Sequence, residues 1–198
     1  MKLLTDGAQN DPVLGFCLRV VSSHARNWPP TEDVLAEQFV DWLGVDSLVT
    51  RDGLTELCRA RGVRLSFSSL PQEIRGVNCS FLNEREIVIA EHEAAPFSDT
   101  HTLFHEFREM LEQLFRELAH PTLGPNDSLE VRAEHFAAVC RMKIMARELP
   151  AFLERAQNNE RKGARYLGYA FVGIFTLAYC FSCIYMRQLE EIGSEFHL

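Results

Sequence analysis

A chain of 198 residues with 46% hydrophobic residues is long enough to bury one sizeable core, and it needs no disulfide or metal staples to do so. Its net charge of −8 and pI near 5.4 argue against binding nucleic acid through a broad basic surface, because such binding is driven by neutralising phosphates. Cys17, Cys58, Cys79, Cys140, Cys180 and Cys183 fall in apolar segments without a disulfide framework, and no secretory signal precedes residue 30, so a reducing cytoplasm is expected.

Residues 1–30 carry little pattern, although Val13 to Val21 suits a strand or a short helix. Trp28-Pro29-Pro30 marks a boundary, after which Thr31 caps a helix bearing Val34, Leu35, Phe39, Trp42 and Leu43 on its apolar side, ended by Gly44. A second helix is expected near residues 50 to 61, with Leu54, Leu57 and Cys58 inward and Gly62 as its stop. Val63, Leu65 and Phe67 alternate with Arg64 and Ser66, which predicts a strand. A hairpin follows: Val77, Cys79 and Phe81 share one face, Asn83-Glu84-Arg85 make the turn, and Ile87 and Ile89 answer on the returning strand.

The helix expected over residues 100 to 118 has a continuous apolar stripe of Leu103, Phe104, Phe107, Leu111, Leu114, Phe115 and Leu118. His105 and Glu109 fall on the opposite face with Glu112 and Arg116, the last two readable as an exposed ion pair one turn apart. After a Pro- and Gly-containing loop, a further helix carries a stripe of Leu129, Ala133, Phe136, Ala137, Cys140 and Ile144, with Glu130 at its edge.

From Tyr166 to Met186 the chain is uncharged between Arg165 and Arg187, and at about 1.5 Å per residue such a helix could cross a bilayer. Its four tyrosines (Tyr166, Tyr169, Tyr179, Tyr185) and its interruptions at Gly168 and Gly173 favour two packed core helices, with a membrane anchor as the alternative. Cys180 and Cys183 lack a second pair or a His pair to complete a metal knuckle and are read as core filler. The elements in order predict an α+β fold: a small antiparallel three-stranded sheet packed on a helix, with a helical C-terminal part. The expected divisions are 1–30, 31–150 and 151–198.

The chemistry concentrates in Thr102-Leu103-Phe104-His105-Glu106-Phe107-Arg108-Glu109. Residues four apart on a helix share a face, so His105 and Glu109 can hold one ion, with the Glu106 carboxylate beside it. The usual form of this pattern is His-Glu-x-x-His, in which the imidazoles bind zinc and the Glu polarises the attacking water. Here Glu109 stands in the place of the second His. A carboxylate ligates Zn²⁺ at about the same distance as an imidazole, although its charge lowers the ion's Lewis acidity. His101, one turn before His105, reads as a helix-start residue near Asp99 and Thr100, and His135, on the following helix, as a surface residue, with replacement of the lost nitrogen as the alternative for either.

Around these residues the chain resembles the ImmA/IrrE family of metallopeptidases. Thr102, Leu103, His105 and Glu106 match the family's first block, and Glu130, Ala133, Phe136 and Ala137 its second. The likeness reaches upstream to the hairpin Gly76-Val77-Asn78-Cys79-Ser80-Phe81 and Glu86-Ile87-Val88-Ile89-Ala90, and so spans roughly residues 31 to 147. Glu109, Arg108 and Lys143 depart from the pattern, standing where a His, a small residue and a Pro are usual.

The resemblance implies a zincin-like fold and a metal held by His105, Glu109 and Glu130, with Glu106 as general base. The oxygen-rich donor set admits Mn²⁺ or Fe²⁺ as well as Zn²⁺. It also implies peptide hydrolysis in a helix-turn-helix transcriptional repressor that controls stress or mobile-element genes, the substrate lying extended along a strand edge. No direct nucleic-acid contact is expected. The competing expectation is a catalytically inactive interaction or sensor protein of the same fold, membrane-tethered if residues 166–186 span a bilayer.

Overall fold

The computed structural model describes residues 11–46, 49–81, 84–91, 96–119 and 129–157. Through them run helices α1 (Pro12–Ser23), α2 (Glu32–Leu43) and α3 (Arg51–Ala60), strands β1 (Arg64–Ser68), β2 (Gly76–Phe81) and β3 (Glu84–Ala90), and helices α4 (Pro96–Ala119) and α5 (Leu129–Gln157). The fold is mixed α+β. The chain divides into two compact units, Met1–Arg141 and Met142–Leu198. Of the second, the described part is residues 142–157, the latter part of α5. The uncharged run 166–186 and the Cys180/Cys183 pair lie outside the described residues. Among the described residues no helix is long and apolar enough to cross a membrane.

Local signals fix the helix ends. Asp11 caps α1, its carboxylate accepting from the Leu14 N–H at 3.0 Å, and Pro12 supplies a pre-set φ in the first turn. Val13, Phe16, Cys17 and Val20 are buried at helical spacing, so the segment that suits either strand or helix is a helix. Thr31 caps α2, and Gly44 ends it with φ 75°, a left-handed conformation that glycine adopts without strain.

The strand order is β1-β3-β2. β2 pairs antiparallel with β3 from Gly76↔Ile89 to Phe81↔Glu84, whereas β1 pairs parallel with β3 from Arg64↔Glu86 to Ser68↔Ala90. The sheet is therefore mixed, which corrects the antiparallel sheet expected from the sequence. Alternation of apolar residues encodes which face a strand buries, but not its direction or its neighbour. Glu84 and Arg85, read as turn residues, are paired strand residues. The Arg85 side chain is buried and forms an ion pair with Asp11 at 2.6 Å, joining the start of α1 to β3.

Phe39 of α2 is the hub of the core. Its ring meets Phe16 of α1 at 6.1 Å, Phe104 and Phe107 of α4 at 5.9 and 5.1 Å, and Phe136 of α5 at 5.2 Å. Helix α4 packs against β2, β3 and α1, and it is covered on more than its apolar stripe. Met110 is buried, as are the charged Arg108 and Glu112. Glu112, expected to face solvent beside Arg116, lies instead among Arg108 (2.9 Å), Arg116 (3.2 Å) and Arg132 (3.3 Å). Arg108 also grips both carboxylate oxygens of Glu32 at 2.8 Å, a fork-to-fork pair that ties α4 to α2.

Candidate metal centre

His105, Glu106 and Glu109 lie within one turn of α4, and each offers a donor atom within 4.8 Å of the others. His105 Nε2 stands 3.8 Å from Glu109 Oε1 and 3.6 Å from Glu130 Oε2, so the imidazole faces carboxylates of both helices. Glu130 reaches His105 but is outside the group in which every donor is within 4.8 Å of every other. It is also the most open of these side chains, at 64% exposure against 29% for Glu109 and 14% for His105.

Two residues that sequence spacing did not single out complete the arrangement. Glu134, one turn beyond Glu130 on α5, places Oε2 at 3.4 Å from His105 Nδ1 and Oε1 at 3.0 Å from His101 Nε2. This accounts for His101, which engages Glu134 instead of facing the Glu109 carboxylate. The other residue is Asn78 of β2, whose amide nitrogen donates to Glu106 Oε2 at 2.8 Å and to Glu109 Oε2 at 2.9 Å. Glu134 shares the helical face of Glu130 and Asn78 the strand face of Gly76, but local spacing marks neither, because their meeting with α4 depends on tertiary packing. His135, the other reserve nitrogen, lies 3.4 Å from Asp33 Oδ1, away from this cluster.

Close packing of strand on helix makes the arrangement fit. A Cβ at Gly76 would fall 2.7 Å from Glu106 Oε1 and 2.7 Å from Thr102 Cγ2, so β2 can lie this near to α4 only with glycine there.

The charges shape one another. Burial alone would lower the His105 pKa, but the hydrogen bond to Glu134 and the nearby Glu130, Glu106 and Glu109 outweigh it and raise the imidazole above its ordinary value. Burial pushes the Glu106 carboxyl up, opposed by the Asn78 hydrogen bond and reinforced by Glu109. Glu134 is held far below the ordinary carboxylate range by its hydrogen bonds to His101 and then to His105.

The donor set fits a divalent cation. With Nδ1 engaged by Glu134, His105 presents Nε2 toward Glu109 and Glu130, and a carboxylate behind an imidazole is the usual way a ligating ring is oriented. The carboxylates beside it supply negative charge that an ion would neutralise. No protein-family model, curated protein or solved structure matches the chain.

Proposed function

We propose that this chain is a cytoplasmic, metal-dependent peptidase of the ImmA/IrrE type, with a zincin-like active site, which hydrolyses a peptide bond in a helix-turn-helix transcriptional repressor. The observation that carries the reading is the gathering of His105, Glu106 and Glu109 donors within 4.8 Å of one another on α4, with Glu130 of α5 3.6 Å from His105 Nε2. His105, Glu109 and Glu130 would hold the ion, which is Zn²⁺ or, given one nitrogen among carboxylates, Mn²⁺ or Fe²⁺. Bound there, a divalent ion polarises a carbonyl and acidifies water.

The chain's own residues supply the rest. Glu106 follows His105 in sequence and is turned about 100° around the helix from it; although its carboxylate lies in the same 4.8 Å group, it is assigned to the proton and not to the ion. Its Oε2 accepts from Asn78, leaving Oε1 to take the proton of the attacking water and return it to the leaving nitrogen. The substrate lies along β2, which has β3 on one side and no further strand on the other among the described residues. Such an edge holds an extended peptide by main-chain hydrogen bonds. The free, buried thiols of Cys17, Cys58 and Cys140 suit a reducing compartment; burial pushes Cys58 up to about 12.

The test uses Glu106→Gln and a helix-turn-helix repressor as substrate, taken first from the neighbouring genes where one encodes such a protein. The variant should keep its metal and fold while cleavage falls by at least about a hundredfold, the scale for removing a positioned acid-base group. Cleavage that persists in Glu106→Gln, or that ignores chelation, refutes the mechanism. A wild type that binds the repressor but never cuts it with any of the three metals is an interaction protein instead.

A further inference from the structure

One side chain of β2 serves two carboxylates of the site. The close approach at Gly76 brings the strand onto α4, and Asn78, two residues on and on the same strand face, lies over Glu106 and Glu109. Both neighbours are carboxylates, so the amide must turn its nitrogen toward them; Nδ2 lies 2.8 Å from Glu106 Oε2 and 2.9 Å from Glu109 Oε2, with one hydrogen for each. Glu106 and Glu109 are three apart on the helix, where like charges repel. A neutral donor between them holds both in place without adding a charge, and leaves Glu109 Oε1 on the side of His105 Nε2, 3.8 Å away.

We infer that Asn78 is a positioning residue matched to Glu109: it makes a carboxylate workable as a metal ligand at the position where the commoner motif has an imidazole. The inference rests on the metal-site reading above and adds a partner to it. A His at 109 would be neutral, would not repel Glu106, and would give the second Asn78 hydrogen no carboxylate to meet. The dependence on Asn78 should therefore exist with Glu at 109 and vanish with His.

The test is a double-mutant cycle on Zn²⁺ and Mn²⁺ affinity, each metal added alone and measured by competition with a chelating indicator. Its members are the full chain, Asn78→Ala, Glu109→His and the double variant, with far-UV circular dichroism reporting the fold. Asn78→Leu, which keeps the branching and number of side-chain heavy atoms of Asn without its donor, runs in parallel in case the alanine variant does not fold. In the native background, loss of Asn78 should weaken binding about ten- to hundredfold, the usual cost of removing a partner behind a ligand. In the Glu109→His background the loss should be less than about threefold. An equal loss in both backgrounds overturns the inference, because Asn78 would then act through Glu106 or the fold, and so does no loss in the native one. A native chain that takes up neither metal, nor Fe²⁺ added without oxygen, defeats the metal-site reading itself, whereas native binding without coupling defeats the Asn78 pairing alone.

Discussion

Arg108 replaces a small residue in the motif the chain resembles, and the structure gives it a separate task. The residue is 1% exposed, and its guanidinium spends its donors on Glu32 and Glu112. Arg108→Ala should cost about 3–5 kcal/mol in chemical denaturation, since it removes a buried cation from half-buried Glu32 and from buried Glu112, which keeps only Arg116 and Arg132. Arg108→Lys should recover only part, because an ammonium cannot form the two-point contact with Glu32. Glu112 adds a pH dependence. Burial pushes its carboxyl up, but the hydrogen bond and charge of Arg108, with Arg132, overcome this and hold it below the ordinary carboxylate value. The unfolded chain therefore takes up this proton first. Its contribution to stability is full above the ordinary carboxylate range and is lost as pH falls through the lower, folded value. Denaturation midpoints followed downward in pH should fall less steeply for Glu112→Gln than for the wild type, and equal slopes would contradict the assignment. The sequence hid this network for a physical reason: angular position on one helix shows which residues share a face, but not that α2 and α5 each send a charged partner to it.

At the scale of elements, the approach of β2 to α4 and the start of α1 carry the arrangement. Gly76→Ala should destabilise the fold by about 1–3 kcal/mol, as overpacking does, and weaken metal binding, because its Cβ would press on Glu106 and Thr102. A variant with native stability and native metal affinity would show that the strand gives way freely. Asp11 both caps α1 and pairs with buried Arg85. Asp11→Ala should therefore cost more than the roughly 1 kcal/mol of a lost cap alone, measured by thermal or chemical unfolding. Most element types were legible in the sequence, since the Thr31 cap, the Gly44 stop and the hairpin alternation are local signals. The parallel placement of β1 beside β3 was not. Pairing direction is decided by how the chain crosses the sheet, which no local period records.

At the scale of the molecule, the candidate site joins three elements far apart in sequence: Asn78 from β2, His105, Glu106 and Glu109 from α4, and Glu130 with Glu134 from α5. Spacing pointed to the α4 residues because one helical turn brings them together whatever surrounds it. Glu130 was readable only through a family resemblance, and Asn78 and Glu134 through neither route, because their places depend on tertiary packing. The central claim is that these residues hold a metal, and elemental analysis of protein purified without chelator or a nickel column tests it most directly. The wild type should carry, or take up, about one equivalent of Zn²⁺, Mn²⁺ or Fe²⁺, and His105→Ala and Glu130→Ala should lose it while Glu106→Gln keeps it. A wild type that neither carries nor takes up metal, or a full complement retained in both His105→Ala and Glu130→Ala, would contradict the account.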